Sequence, residues 1–254
     1  MLDSFRIRAV TIKRNIKISA YLPKDYYKTD KKYPLLILFD GQYFFKFLDE
    51  DKRIIDFNSI LESENRDFIV IAPHAPKEEM PDWRISELNP YYKGNIETVD
   101  SSLASNYAEY ITNELIPMLK MKYRFSDEIY LLGYKDSAIL SLYMLYAYSI
   151  YKGAMIFSPS LTECNHKVFE DIDQRFDPSK KIFIYQGGKD ALDTEENLFY
   201  DLQSTISKGN AEYFILDYEQ NLDNSAEAMK SRLNVAFDMI IKKIFEKKIT
   251  FTLK

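Results

Sequence analysis

Short runs of consecutive apolar residues recur along the chain and predict strands that are buried on both faces. Six such runs occupy residues 33–39, 68–72, 128–132, 153–157, 181–185 and 212–216. A different pattern precedes them, because apolar and polar residues mostly alternate in 5–11 and again in 16–21. Alternation with a period of two is typical of half-buried strands, so the chain is predicted to begin with an antiparallel hairpin.

Apolar residues at spacings of three and four lie between the strand runs and predict helices. They cover 103–115, 139–148, 198–206 and a long final helix over 225–247. Strands that alternate with helices form a mostly parallel sheet with helices on both faces. The prediction is therefore an α/β protein with one domain over residues 1–254. Ligands of such sheets bind beyond the carboxyl ends of the strands, which directs attention to the residues that follow each run.

One of these strand ends has the form of a nucleophile elbow, a sharp turn from a strand into a helix. The residues two positions before and after the nucleophile must be small, because the turn brings them close together. Centred on Lys135, these positions hold Gly133 and Ser137. A centre at Asp136 puts a bulky residue at one of the two positions, and a centre at Ser137 puts bulky residues at both. The sequence thus predicts an elbow with Lys135 in the nucleophile position.

Five further segments carry short motifs that occur in the same order in one enzyme family. They are Tyr21-Leu22-Pro23, Asp40-Gly41-Gln42 after a buried strand, Arg84-Ile85-Ser86-Glu87-Leu88-Asn89-Pro90, Glu114-Leu115-Ile116-Pro117 and Phe157-Ser158-Pro159-Ser160. With the elbow, they resemble the esterase family that includes esterase D, the enterochelin esterases and the antigen-85 mycolyltransferases. The resemblance implies an α/β-hydrolase fold and a serine, acid and histidine triad.

The chain departs from this family at the triad itself. The family elbow is Gly-His-Ser-x-Gly-Gly, and Lys135 stands in the place of the serine. The resemblance puts the acid at or near Asp190 and the histidine at Asn224, or at Asn221 if the loop differs. Chain order in this fold is nucleophile, acid, histidine. Histidine occurs only at positions 74 and 166, both before the expected acid, so no histidine follows it.

The first hypothesis is therefore a pseudoenzyme, a binding or assembly component with vestigial triad positions Lys135, Asp190 and Asn224. Removal of triad members lowers the rate by about 10⁴ to 10⁶. Its cleft is expected to bind a small molecule, an acyl or glycan ligand, or a protein partner. The expected binding residues are Asp40, Gly41, Gln42, Arg84, Glu87, Tyr134, Lys135 and Asp136.

Two alternatives stay open. The first is a carboxylic-ester hydrolase with a rearranged site, in which His74 activates Ser137 or Ser158. The second is a structural or regulatory partner whose old cleft is filled by tyrosine and phenylalanine side chains.

Individual residues also have plain structural interpretations. Lys135 is expected to pair with Asp136 or another carboxylate unless it serves as a reactive amine, and Asp136 and Ser137 are candidate helix N-caps. Arg84 and Glu87 are placed in a polar loop, as an anion site or as a salt bridge. Trp83, beside them, is a candidate cleft wall.

Composition excludes several classes of function. The net charge of −5 gives no general attraction to nucleic acid, and no apolar stretch approaches the ~18 residues of a membrane span. No phosphate-binding glycine loop or dinucleotide fingerprint is present, so no cofactor is expected. Cys164 and His166 lack a second pair of ligands, so no metal is expected either. A single cysteine and the absence of a signal-peptide pattern favour the cytoplasm.

Overall fold

A computed structural model describes nine stretches of the chain. They are residues 1–44, 57–63, 66–75, 81–92, 103–164, 166–189, 193–209, 211–241 and 248–252. The chain forms two compact units, Met1–Leu131 and Leu132–Lys254. The prediction of one domain over 1–254 stays a prediction.

The first unit begins with the predicted antiparallel hairpin. Strand β1 (Leu2–Ala9) pairs with β2 (Arg14–Tyr21), and β2 pairs in antiparallel fashion with β4 (Ile69–Pro73). Strand β3 (Tyr33–Leu38) runs parallel to β4. The side chains of Leu35, Leu36, Ile37 and Leu38 are all fully buried, as the continuous apolar run predicts.

Helices connect the strands of this unit. They are α1 (Phe57–Ser63), α2 (Pro81–Leu88), α3 (Leu103–Glu109) and α4 (Ile116–Lys122). A π-helical segment, Tyr110–Leu115, joins α3 to α4. It forms the second half of the helix that the apolar spacing predicts over 103–115. Strand β5 (Phe125–Tyr134) then crosses the boundary between the two units.

The second unit alternates helices and parallel strands. Its elements are α5 (Asp136–Ala147), β6 (Tyr151–Phe157), α6 (Lys167–Arg175), β7 (Lys181–Gly187), α7 (Asp193–Lys208), β8 (Tyr213–Glu219), α8 (Ala226–Ile241) and β9 (Lys248–Thr252). Strands β6 to β9 pair in parallel with their neighbours in chain order.

The strand order is β1-β2-β4-β3-β5 in the first unit and β6-β7-β8-β9 in the second. A mostly parallel sheet with an antiparallel N-terminal pair confirms the predicted fold class. The sequence pattern does not predict β9, because it extends the final helix to residue 247; residues 242–247 lie outside the described part of the chain. None of the described helices is both long and apolar enough to cross a bilayer.

Candidate functional site

The turn between β5 and α5 has the geometry of a nucleophile elbow. Lys135 is the single residue between the two elements, and its backbone has φ 56° and ψ −118°. A side chain strains this backbone conformation, because a positive φ favours glycine. The Lys135 amide donates to the Phe157 carbonyl at 3.0 Å, and the Lys135 carbonyl accepts from the Ala138 amide at 3.0 Å. The structure therefore places Lys135 at the point that the small-residue spacing indicates.

Gly133 and Ser137 explain why the turn needs small residues on either side. A Cβ atom added to Gly133 lies 2.1 Å from the Ser137 carbonyl oxygen, which no real side chain tolerates. The Ser137 hydroxyl accepts from the Tyr134 amide at 3.0 Å and donates to the Tyr134 carbonyl at 2.9 Å. The expectation that Ser137 caps α5 is wrong, because its hydroxyl closes the turn behind it. The carboxylate of Asp136 lies in the first turn of α5, where the helix dipole favours negative charge.

The side chain of Lys135 extends into solvent beside an aromatic ring. Its Nζ atom lies 5.4 Å from the centre of the Tyr134 ring. Within the residues that the structure describes, Lys135 forms no ion pair, so the expected pairing with Asp136 or another carboxylate is not seen there. Among the described residues, the Lys135 ammonium group thus has no acidic partner.

The loop between β8 and α8 holds Asn224, the expected position of the family histidine. Its Oδ1 accepts from the Gly187 amide at 2.9 Å, and its Nδ2 donates to the Gly187 carbonyl at 3.3 Å. The backbone carbonyl of Asn224 accepts from the Tyr134 hydroxyl at 2.5 Å. Asn224 thus joins the end of β7 to the elbow. Asn221, the other candidate, is exposed, and Asp190 lies outside the described residues.

The Tyr134 hydroxyl is suited to donate this hydrogen bond to the Asn224 carbonyl. Burial raises the pKa of its hydroxyl to about 12, and the negative charges of Asp223 and Glu227 act in the same direction. The hydroxyl is therefore protonated at neutral pH and keeps its bond to the loop. Asp223 shares in holding the loop, because its backbone carbonyl accepts from the Tyr185 hydroxyl at 2.8 Å.

A shallow cleft of about 300 Å³ opens beside the same loop. Two carboxylates, one lysine and several small or polar groups line it. The lining residues are Lys189, Asn221, Leu222, Asp223, Ser225, Glu227, Ala228 and Ser231. Of these residues, the sequence points to Asn221 alone, as the alternative position of the family histidine. The cleft therefore presents charged and hydrogen-bonding groups of both signs.

The first unit holds the other predicted binding residues. Asp40 follows β3 in a left-handed conformation with φ 59°, and its buried carboxylate accepts from Arg84 Nη2 at 2.8 Å. The Gln42 amide nitrogen lies 3.5 Å from the other Asp40 oxygen, and Gln42 Oε1 accepts from the Ala75 amide at 3.0 Å. Gly41 packs closely against Ala72. A Cβ atom added to Gly41 would lie 2.5 Å from the Ala72 carbonyl oxygen. These residues form a hydrogen-bonded group at the end of β3.

Arg84 and Glu87 lie on helix α2, so their placement in a loop is wrong. Pro81 begins this helix, which is a favoured position for proline. Glu87 is buried, and its carboxylate accepts from Arg14 Nη2 at 2.6 Å. Burial raises the pKa of Glu87 to about 7, although the Arg14 charge opposes the shift. Of the two interpretations offered for Arg84 and Glu87, the structure shows a salt bridge for each. Trp83, on the same helix, is exposed.

The imidazole of His74 contacts Ser19, which is neither of the two serines named for a rearranged site. Its Nε2 lies 2.8 Å from the Ser19 hydroxyl, and Ser19 is fully buried. Burial, together with the charge of Lys17, lowers the pKa of His74 to about 4. The Ser137 hydroxyl is held by the elbow, and the buried Ser158 hydroxyl has no hydrogen-bond partner among the described residues.

Cys164 and His166 do not form a metal cluster. The Cys164 thiol is buried and donates to the Ser160 carbonyl at 3.5 Å, whereas His166 is exposed at the start of α6. Among the described residues, no group of three or more histidine, cysteine or acidic side chains is arranged to hold a metal ion.

Comparison with known proteins defines the family. The family model Esterase, described as "Putative esterase", matches residues 9–220. The chain belongs to this esterase family. This match covers β2, the elbow and the strands up to β8, and it leaves out β1 except for Ala9. A search of curated proteins finds no match.

Solved structures share the fold of this family member at low sequence identity. An IroE-like serine hydrolase from Shewanella oneidensis is 15% identical, with a TM-score of 0.76 over 92% of this chain and 78% of that one. The BES protein from Bacillus cereus is 16% identical, with a TM-score of 0.74 and 94% of both chains covered. The enterobactin esterase FES from Shigella flexneri is 12% identical, with a TM-score of 0.66 over 94% of this chain and 58% of that one.

Proposed function

We propose that this chain is an esterase-family protein that binds a ligand or partner and does not hydrolyse esters. The observation that carries the proposal is Lys135 at the strained elbow, where the family pattern has a serine. Acyl transfer in this fold begins when a base removes the proton of the elbow hydroxyl. Lys135 has no hydroxyl, and its side chain is exposed, whereas nucleophilic lysines are commonly activated by desolvation.

The position of the histidine supports the same conclusion. The Asn224 side chain has no group that accepts and returns a proton near neutral pH. Both ends of its amide are also bonded to Gly187, so its role is to hold the loop. Without a nucleophile and a base, only substrate binding and the oxyanion donors can accelerate the reaction.

The strained geometry at Lys135 supports binding rather than simple decay of the site. A non-glycine residue at φ 56° costs about 1–3 kcal/mol, which glycine at this position would relieve. The cleft of about 300 Å³ beside the Asn224 loop offers space for a small polar molecule. A small molecule or an acyl or glycan ligand, bound in the cytoplasm, is the class we favour.

The test is an esterase assay on the purified protein with p-nitrophenyl acetate and p-nitrophenyl butyrate, together with labelling by a fluorophosphonate probe. We expect hydrolysis at the buffer rate, no labelling, and no gain from Lys135→Ser, because the position of Asn224 supplies no base. Turnover well above buffer that Lys135→Ala abolishes would overturn the proposal. Turnover that His74→Ala abolishes would instead support the rearranged hydrolase.

A further inference from the structure

The outer face of the β1–β2 hairpin carries positive charges that have no acidic partner in the part of the chain that the structure describes. The ladder places Arg6 opposite Lys17 and Arg8 opposite Asn15, so these four side chains share one face. Among the described residues, neither arginine nor Lys17 has a carboxylate within 4.0 Å. Like charges directly opposite each other destabilise a sheet.

This charge is local to the start of the chain. The first 20 residues contain five basic side chains and one acidic side chain, in a protein whose net charge is −5. Two charged side chains of this segment form ion pairs and do not add to the charge of the outer face. Asp3 lies 3.7 Å from Lys122, and Arg14 pairs with Glu87. The outer face is therefore cationic among the described residues.

At the same residues, the backbone groups of β1 form no hydrogen bond with β2 or with another described strand. Met1 and Leu22 exchange two hydrogen bonds, of 2.7 and 2.8 Å. Bonded and non-bonded pairs alternate along an antiparallel ladder, so the odd-numbered residues of β1 bond to β2. The N–H and C=O groups of Arg6 and Arg8 consequently point away from the sheet. Strand β1 is the last strand in the order, and no described strand pairs with its other edge.

Two hydrogen bonds agree with this assignment of the outward groups. The amide of Ser4 donates to Asp3 Oδ1 at 2.7 Å, and the amide of Val10 donates to Glu114 Oε1 at 2.8 Å. Both are even-numbered, and both find side-chain acceptors rather than β2. The outward amides at either end of the strand are satisfied in this way, whereas those of Arg6 and Arg8 between them have no partner among the described residues.

We propose that this edge of β1 docks an extended acidic segment of a partner protein, which adds to the sheet as an antiparallel strand. Strand addition satisfies outward backbone groups and places side chains of the partner opposite those of β1. Residues opposite Arg6 and Arg8 lie on the same face as the arginines, with Cα atoms about 5.5 Å apart. Carboxylates at alternate positions of the partner therefore meet both guanidinium groups, which bind carboxylates in a bidentate manner.

Charge and composition argue against other occupants of this edge. A second copy of the chain brings another β1 with its own arginines, and the repulsion opposes pairing. Single-stranded nucleic acid needs aromatic side chains on which bases stack. The aromatic residue on this face, Tyr21, is buried. An acidic peptide is the occupant that uses both the cations and the free backbone groups.

The probe is a fluorescein-labelled synthetic peptide in which Glu alternates with Thr, titrated with the protein at low salt and followed by fluorescence anisotropy. We expect saturable binding that Arg8→Glu weakens at least about tenfold. Lys13→Glu is the matched control, because it reverses an exposed charge in the hairpin turn outside the ladder. We expect it to weaken binding less than about threefold. Far-UV circular dichroism verifies that both variants are folded, so that a lost interaction is separated from a lost fold.

Two further peptides separate strand addition from attraction between charges. A peptide N-methylated at each Glu keeps its charge but loses the amides that bond to the Arg6 and Arg8 carbonyls, and we expect it to bind at least about tenfold more weakly. The charge-reversed variant Arg6→Glu/Arg8→Glu is expected to bind a peptide in which Lys alternates with Thr. Equal binding of the N-methylated peptide, equal loss in Lys13→Glu, or tighter binding of polyuridylate than of the acidic peptide would each overturn the proposal.

Discussion

The buried pair between Arg14 and Glu87 makes the most demanding prediction, because its strength depends on pH. Arg14 Nη2 lies 2.6 Å from the Glu87 carboxylate, of which 1% is exposed. Burial raises the pKa of Glu87 from 4.5 to about 7. The folded protein thus holds this proton more tightly than the unfolded chain does. The resulting stabilisation is present below about pH 4.5 and is lost as the pH rises through about 7.

Arg14→Met removes the charged partner and keeps an apolar side chain of similar length. Without Arg14, the charge and the hydrogen bond that lower the pKa of Glu87 are lost. At pH 8 the variant must therefore bury an unpaired carboxylate or keep the carboxyl protonated, and breaking such a buried pair costs about 3–5 kcal/mol. For a chain of this size, that loss lowers the melting temperature by roughly 6–20 °C. At pH 5 the Glu87 carboxyl is protonated, so the loss is expected to be much smaller.

The assay is thermal unfolding followed by circular dichroism, with wild type and variant compared at pH 5 and pH 8. His74, whose pKa is lowered from 6.5 to about 4, destabilises the fold as the pH falls through this interval. Its effect is the same in every variant and cancels in the differences. Arg14→Met/Glu87→Gln is the control and is expected to recover most of the loss at pH 8. Equal losses at the two pH values, or no recovery in the double variant, would refute the reasoning.

Three substitutions test the elbow and its neighbouring loop by thermal unfolding. Lys135→Gly relieves the backbone strain at φ 56° and is expected to stabilise the protein by about 1–3 kcal/mol. Lys135→Ala keeps a Cβ atom and is expected to leave stability unchanged. Equal effects of the two substitutions would contradict the claim that the backbone is strained. Gly133→Ala places a Cβ 2.1 Å from the Ser137 oxygen and is expected to cost more than about 2 kcal/mol, so near-wild-type stability contradicts the packing of this turn. Asn224→Leu removes both bonds to Gly187 and is expected to cost about 1–3 kcal/mol, with exposed Asn221→Leu as the neutral control; equal stability of the two variants speaks against the loop contact.

Local sequence is sufficient for the strands and for the elbow. Continuous apolar runs predict β3 to β8 because a strand covered on both faces must be apolar throughout. The elbow position follows from sterics, since Gly133 and Ser137 lie four residues apart and touch within the turn itself. The missing histidine after residue 166 is a property of composition alone. Strand β9 is not predicted, because the pattern of the final helix extends to residue 247, directly before it.

Folding sets which polar side chains meet. Arg14 and Glu87 are 73 residues apart, Arg84 and Asp40 are 44 apart, and Asn224 and Gly187 are 37 apart. Hydrophobic periodicity specifies which face of an element is buried, but a charge has no preferred partner until folding brings two elements together. The direction of the β1 amides is likewise set by the pairing with β2. The fold class and the lysine at the elbow therefore follow from the order of residues alone, whereas the ion pairs, the loop contact and the open edge of β1 exist only in the folded chain.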